Sequence, residues 1–283
     1  MISDNIDLII HHADCPDGWC AAFIAKKCFP NAEVLGRMHG QELPNVTNRR
    51  VLVVDFSWRT REQNQLLASD AESFHILDHH ATATEVLTGL DFATFDLNRS
   101  GATITWDTLF PDEWRPWYVE YVEDRDLWRW QLPQTKEVNA YIMTLPHTTS
   151  AWTELDHIDV SEAARRGVGA LAQVHHYIEK VTAQKLPAVI QGFRASIVNA
   201  SYTNISDVCH ELLEQDPSID VGAGWFLRGD GQVQFSFRSR KDGPDVSKIA
   251  QHYGGGGHPH AAGAQQPMQK GLEVVREWLG GER

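Results

Sequence analysis

Phe74-His75-Ile76-Leu77-Asp78-His79-His80 passes from an apolar run straight into a carboxylate and two imidazoles. The run Phe74 to Leu77 reads as a buried strand, and open α/β sheets place their ligands at the C-terminal tips of such strands. Asp and His packed together at a strand tip are metal-ligand chemistry. Two more stretches share the pattern. Leu8-Ile9-Ile10 breaks into His11-His12-Ala13-Asp14-Cys15-Pro16-Asp17-Gly18, and a helix follows from near Gly18 to Lys27. Val51-Leu52-Val53-Val54 breaks into Asp55, with a helix over about Thr60 to Ala71. Parallel strands of one sheet bring their C-terminal tips together, so the polar clusters are expected to converge.

A converged set of His12, Asp14, Asp17, Asp55 and His79 with one further carboxylate concentrates negative charge that raises its own pKa values and repels itself. Divalent cations resolve that conflict, and the set fits two ions with Asp55 bridging them. Oxygen and imidazole donors without thiolate favour Mn²⁺, with Mg²⁺ or Co²⁺ as alternatives, over a structural zinc. The residues alone also allow unrelated N-caps and turn residues, which Asp often provides at a strand-to-helix junction.

The motifs in order are His12-x-Asp14-x-x-Asp17-Gly18, Asp55 after a Val-rich strand, Asp78-His79-His80, Ser100-Gly101-Ala102 and Asp124-Arg125-Asp126. Together they resemble the DHH phosphoesterase superfamily. Downstream, Gly254-Gly255-Gly256-Gly257-His258-Pro259-His260-Ala261-Ala262-Gly263, preceded by Phe237-Arg238-Ser239 and Val246 to Ala250, resembles the DHH-associated C-terminal domain. The resemblance implies a metal-dependent phosphoesterase. Metal ligands would be His12, Asp14, Asp17, Asp55, His79 and Asp124, with His80 contacting the phosphoryl group or leaving group and Asp78 orienting the histidine pair. The first motif departs from the family pattern by Cys15-Pro16 between its aspartates, which bulges the tip and leaves the ligands among His11, His12 and Asp14 open. Asp124 and Asp126 both suit the last ligand position; Asp124 is preferred because it follows the apolar-rich stretch Trp117 to Val122.

The glycine run exposes backbone N–H groups that can nest an anion, while Arg238 offers a bidentate grip on phosphate from a strand over Val233 to Arg240. Arg238, Ser239, Gly255, Gly256, Gly257 and His258 are therefore expected to bind substrate, across a cleft from the metals.

The expected fold is α/β with two domains. A larger, doubly wound parallel-sheet domain over residues 1–160 carries the metals, 161–190 is a helical connector, and 191–283 is a smaller α/β substrate-binding domain. His175 and His176 lie in the connector and read as structural. The aromatic stretch Trp114, Trp117, Tyr118, Tyr121, Trp128 and Trp130 reads as core or lid packing.

A length of 283 residues with 42% hydrophobic content is enough for two cores. No apolar run reaches the roughly 20 residues of a membrane span, and the N-terminus lacks a basic signal-peptide start, so the expectation is a cytoplasmic protein without a membrane partner. Cys15, Cys20, Cys28 and Cys209 show no metal-site or disulfide spacing and read as reduced thiols, Cys15 in a packing role. A net charge of −13, from 25 basic against 38 acidic residues, argues against gripping long duplex DNA. The resemblance implies a phosphodiesterase acting on short oligonucleotides or dinucleotides, hydrolysed to mononucleotides by a metal-bridged hydroxide, and the acidic charge favours the small end of that range. A RecJ-like single-strand exonuclease and a pyrophosphatase or polyphosphatase are the rival readings, and a homodimer is compatible with either.

Overall fold

The computed structural model describes residues 2, 5–13 and 15–280. The chain divides into two compact units, Met1–Leu171 and Ala172–Arg283. In the first, β1 (Leu8–His12), α1 (Pro16–Cys28), β2 (Glu33–Arg37), β3 (Arg50–Val54), α2 (Arg61–Asp70), β4 (Ser73–Asp78), α3 (Thr84–Leu87) and β5 (Ala93–Phe95) alternate as a doubly wound sheet requires. The strand order is β2-β1-β3-β4-β5, and every pairing is parallel. The α/β, two-unit fold expected from the sequence is therefore present, and the three strands that carry the polar tips are adjacent.

Both faces of this sheet are buried, which is why its strands read as unbroken apolar runs. Leu8, Ile10, Val51, Val53, Phe74 and Ile76 pack on one face; Ile9, Leu52, Val54 and Leu77 pack on the other with Phe23, Ile24 and Trp152. The chain order reverses between β1 and β3, and at such a switch point the flanking loops part and leave a crevice beyond the strand ends. His12 and Asp55 lie at those two ends.

The remainder of the unit is helical: α4 (Gly101–Leu109), α5 (Trp117–Asp126), α6 (Thr135–Ile142), α7 (Thr149–Thr153) and α8 (Val160–Thr182). Local chemistry sets several boundaries. Pro16 opens α1 two residues before the predicted start, because proline suits the first turn, where its missing N–H costs nothing. Thr60 and Gln63 form a reciprocal capping box that starts α2. Of the predicted aromatic group, Tyr118 and Tyr121 are buried, whereas Trp114 is 98% exposed and packs neither a core nor a lid.

The second unit is built on a six-stranded sheet of order β10-β11-β9-β8-β7-β6. Its elements are β6 (Leu186–Ile190), β7 (Phe193–Asn199), α9 (Ile205–Gln215), β8 (Val221–Leu227), β9 (Gln232–Arg238), α10 (Val246–His252), β10 (Gly256–His258), β11 (Ala261–Pro267) and α11 (Met268–Trp278). Phe235, Phe237, Tyr253 and Trp278 form its aromatic core. The expected connector over 161–190 does not correspond to one element: the division falls inside α8, and Leu186–Ile190 is an edge strand paired antiparallel to β7. Its short, partly exposed sequence lacks the alternation that marks a strand.

Candidate metal centre

Asp55 follows β3 with φ 54°, a left-handed backbone that a non-glycine residue adopts only when its surroundings impose it. The imposition is visible. Its N–H donates to Leu77 O at 2.8 Å, and a Cβ at Gly101 would come within 2.4 Å of Asp55 Cβ, so α4 can start this close only with glycine there. The Asp55 side chain is 1% exposed, yet no hydrogen bond reaches either carboxylate oxygen. His79 Nε2 lies 3.2 Å from Oδ1 and His12 Nδ1 3.8 Å from Oδ2.

His79 Nε2 is the hub. It lies 3.2 Å from Asp55 Oδ1, 3.5 Å from Asp126 Oδ2 and 3.7 Å from Asp17 Oδ2. Asp17, second residue of α1, also accepts from the Gly101 and Ala102 N–H groups at 2.6 and 3.0 Å, which ties the first motif to the start of α4. That contact explains Ser100-Gly101-Ala102: Ser100 caps α4 through Thr103 N–H while Asp17 satisfies two amide groups at the same helix end.

The electrostatics follow from burial. Burial and then the Asp17 charge raise the Asp55 carboxyl above its ordinary range, and the same two causes raise Asp126. Burial alone would lower His79, but Asp126, Asp55 and Asp17 outweigh it and raise it well above the usual imidazole value. For His12 the compensation fails; burial, with His80 and His39 alongside, outweighs the Asp78 charge, lowers it to about 3 and makes it a neutral nitrogen donor. A site of crowded acids and a neutral imidazole is unsatisfied without cations. The buried Asp55 oxygens, lacking hydrogen bonds, are the observation that fits divalent metal to these residues.

Asp78 has a different position. Its Oδ1 accepts from His79 N–H at 2.7 Å and lies 2.7 Å from His80 Nδ1, while Oδ2 accepts from Ser57 Oγ at 2.6 Å. Burial opposes its ionisation, but the His80 and Ser57 contacts hold it far below the ordinary carboxylate range. Asp78 thus fixes the His80 ring and directs Nε2 away from its own carboxylate. Burial pulls His80 down, and Asp78 more than offsets it, so His80 is raised overall.

The structure brings Asp17, Asp55, His79 and His12 together with Asp126, and does not bring Asp124. The Asp124 carboxylate turns to the loop after α5, accepting from Gln131 N–H at 2.9 Å and Leu132 N–H at 3.4 Å. Its backbone carbonyl accepts from Arg129 N–H at 2.8 Å, and the loop it anchors holds Trp128 and Trp130 at φ 54° and 52°. The preference for Asp124 is corrected for a simple reason: α5 runs through both residues, and positions two apart on a helix face different sides. His11 Nδ1 donates to His12 O at 2.8 Å, and its ring packs edge-on to Trp19. Asp14 lies outside the described residues.

In the second unit the glycine run is half turn and half strand. Gly256 pairs with Gly263, Gly257 with Ala262 and His258 with Ala261 in a hairpin, so the expected open anion nest is replaced by a ladder that uses backbone groups. Glycine is required by packing: a Cβ at Gly255 would fall 2.0 Å from Gly263 O, and one at Gly257, where φ is 142°, 2.6 Å from Ala261 O. Ala261 pairs with Arg238 on its other side, so Arg238 and His258 flank a single small residue in one row of the sheet. Arg238 is steadied by Phe237 O at 2.8 Å and by Ser206 Oγ. Ser239 follows β9, and its hydroxyl donates to Pro244 O at 2.7 Å, a turn contact that takes it out of the expected substrate row.

A DHHA1 domain matches residues 196–281, the unit just described. An uncharacterized protein of Acanthamoeba polyphaga mimivirus is 30% identical over 285 residues, covering 92% of this chain and 67% of that protein. The chain belongs to the DHH phosphoesterase superfamily and carries its DHHA1 domain. Its fold is shared with proteins of known structure. An exopolyphosphatase-related protein from Bacteroides fragilis superposes with TM-score 0.54 at 12% identity, over 98% of this chain and 92% of that one. The pGpG-specific phosphodiesterase PggH from Vibrio cholerae superposes with TM-score 0.50 at 12% identity, over 96% and 97%. Among the described residues no helix is long and apolar enough to cross a membrane.

Proposed function

We propose that this DHH-superfamily protein is a divalent-metal-dependent phosphodiesterase that cleaves dinucleotides or short oligonucleotides to mononucleotides. The observation that carries the reading is Asp55: fully buried, without a hydrogen bond at either oxygen, and facing His12 and His79 from opposite oxygens. Asp17, Asp55, Asp126, His79 and His12 would hold the cations, with Mn²⁺ the favoured ion. When bound, divalent ions neutralise phosphoryl charge and lower the pKa of a coordinated water.

The chain's own residues do the rest. Asp78 holds His80 with its Nδ1 engaged, so that Nε2 donates to a phosphoryl or leaving-group oxygen. Asp17 fixes the start of α4 against the site and keeps Asp55 in its strained backbone. Arg238 and His258, in one row of the second sheet, supply anion contacts for a further phosphate. A formal charge of −13 favours a small phosphorylated substrate over a polynucleotide, since so acidic a surface releases few counterions. The activity of the dinucleotide-specific relative PggH points the same way.

The test is a panel with Mn²⁺: pyrophosphate, bis-p-nitrophenyl phosphate, dinucleotides, and single strands of increasing length. Mononucleotide release from dinucleotides, declining with strand length, is expected, and Asp55→Ala should abolish it. Turnover of pyrophosphate alone would replace this reading with a phosphoanhydride hydrolase. Rates that rise with strand length would replace it with a RecJ-like exonuclease.

A further inference from the structure

Cys15 stands at the bulge where the first motif departs from its family pattern. It is the N-cap residue of α1 in extended backbone. Packing was the role expected from sequence. Burial is the first influence on the thiol, and packing alone does not account for what surrounds it: Asp55, Asp126 and Asp17 are the charged groups that act on it, and the Gly18 N–H also reaches it. Its sulfur, an imidazole nitrogen of His12 and a carboxylate oxygen of Asp55 all lie within 4.8 Å of one another.

Two of those partners are themselves unsatisfied. Asp55, 1% exposed, has no hydrogen bond at either oxygen, and His12 Nδ1 is buried without one. Sulfur, nitrogen and oxygen donors therefore surround one point, and no hydrogen bond links them to explain the arrangement. Zinc-type bonds of about 2.0–2.3 Å separate ligand atoms by roughly 3–4 Å, so a single ion draws this trio in by modest side-chain shifts.

We propose that Cys15 is a ligand of a cation held at this site, together with His12 and Asp55. Its thiolate turns the preference of that position from Mn²⁺ and Mg²⁺ toward Zn²⁺, Co²⁺ or Fe²⁺. The assignment rests on the metal-centre reading above and names the donor that distinguishes this chain's site. Coordination breaks the S–H bond: the sulfur lone pair goes to the ion and the proton to solvent, with no change of oxidation state. Thiolate is the softest donor available to a protein, so a single one is enough to reorder affinities among ions that oxygen ligands hold alike.

Co²⁺ reports this directly, because thiolate ligation adds an intense sulfur-to-cobalt charge-transfer band in the near ultraviolet to the weaker visible d–d bands. The full-length, metal-free protein is titrated anaerobically with Co²⁺, beside Cys15→Ser and Cys20→Ser. The wild type and Cys20→Ser are expected to show the charge-transfer band. Cys15→Ser should keep d–d absorption, lose that band, and bind Zn²⁺ about 10–100-fold more weakly, with Mn²⁺ binding little changed. Visible d–d bands without charge transfer in the wild type would overturn the Cys15 assignment and leave the metal centre standing. No cobalt spectrum at all would overturn the metal reading and this assignment with it. Circular dichroism of Cys15→Ser that matches the wild type assigns a lost band to the missing sulfur; an unfolded variant is replaced by Cys15→Ala, to which the same outcomes apply.

Discussion

Asp124 and Asp126 are two residues apart and chemically identical, yet they do opposite things. Asp126 meets His79 at 3.5 Å, and Asp124 closes the loop that follows α5. Asp126→Asn should therefore weaken metal binding by about 10–100-fold in a calorimetric titration. Asp124→Asn should leave metal stoichiometry intact and lower stability by about 1–3 kcal/mol, read from denaturant unfolding, because one of the two oxygens that accept from Gln131 and Leu132 N–H becomes an NH2 donor facing them. Reversed results would restore the sequence-based choice. The raised Asp55 and Asp126 carboxyls carry a second prediction at this scale. Both are raised by burial and by Asp17, so in metal-free protein they retain protons above the normal carboxylate range. A cation must displace those protons, so apparent affinity rises with pH until the groups are ionised without metal. Titrations in two buffers of different ionisation enthalpy, at pH 6 and 8, should show proton release that shrinks at the higher pH; equal release at both would contradict the shifts.

At the scale of elements, the site depends on how closely the start of α4 approaches the end of β3. Gly101 leaves no room for a methyl group, which would lie 2.4 Å from Asp55 Cβ and 2.9 Å from its Cα. Gly101→Ala is expected to cost about 1–3 kcal/mol by overpacking and to reduce activity more than stability alone explains, since it displaces Asp55. The check is melting temperature and kcat measured on one preparation: a variant that melts lower but turns over normally would show that α4 only supports the fold. The same scale explains what the sequence concealed. The apolar runs of β1, β3 and β4 were legible because both sheet faces are buried, whereas β5 and β6 are short and partly exposed and carry no such signal. The glycine run was legible as a special backbone, but its pairing with Ala261 to Gly263 depends on a partner strand that a local reading does not supply.

For the whole molecule, crowded buried acids make the first unit's stability depend on what neutralises them. A ligand that binds the folded form at a free concentration 100-fold above its Kd stabilises by about 2.7 kcal/mol. Thermal unfolding with Mn²⁺ should therefore shift upward, and a chelator should return it to the metal-free value. Asp55→Asn should melt near the metal-loaded wild type without added metal, because it removes a charge that folding confines. A melting curve indifferent to both metal and chelator would count against the centre.

The sequence by itself determined the α/β class and the three polar tips, because burial on both sheet faces and the chemistry of Asp and His are written locally in residue type and order, and the order of its motifs carried the resemblance to the family. The resemblance carried the expectation that Asp78 orients the histidine pair; Asp78 meets the His80 ring and the backbone N–H of His79. Only the tertiary structure decided which acid completes the cluster, that Asp17 satisfies amide groups of α4, that the Ser239 hydroxyl donates to Pro244 O, and that Cys15 shares a point with His12 and Asp55. Those are facts of helix phase and of contacts between residues far apart in the chain: the two-residue step from Asp124 to Asp126, about 200° around a helix, moves the side chain from the loop to the site.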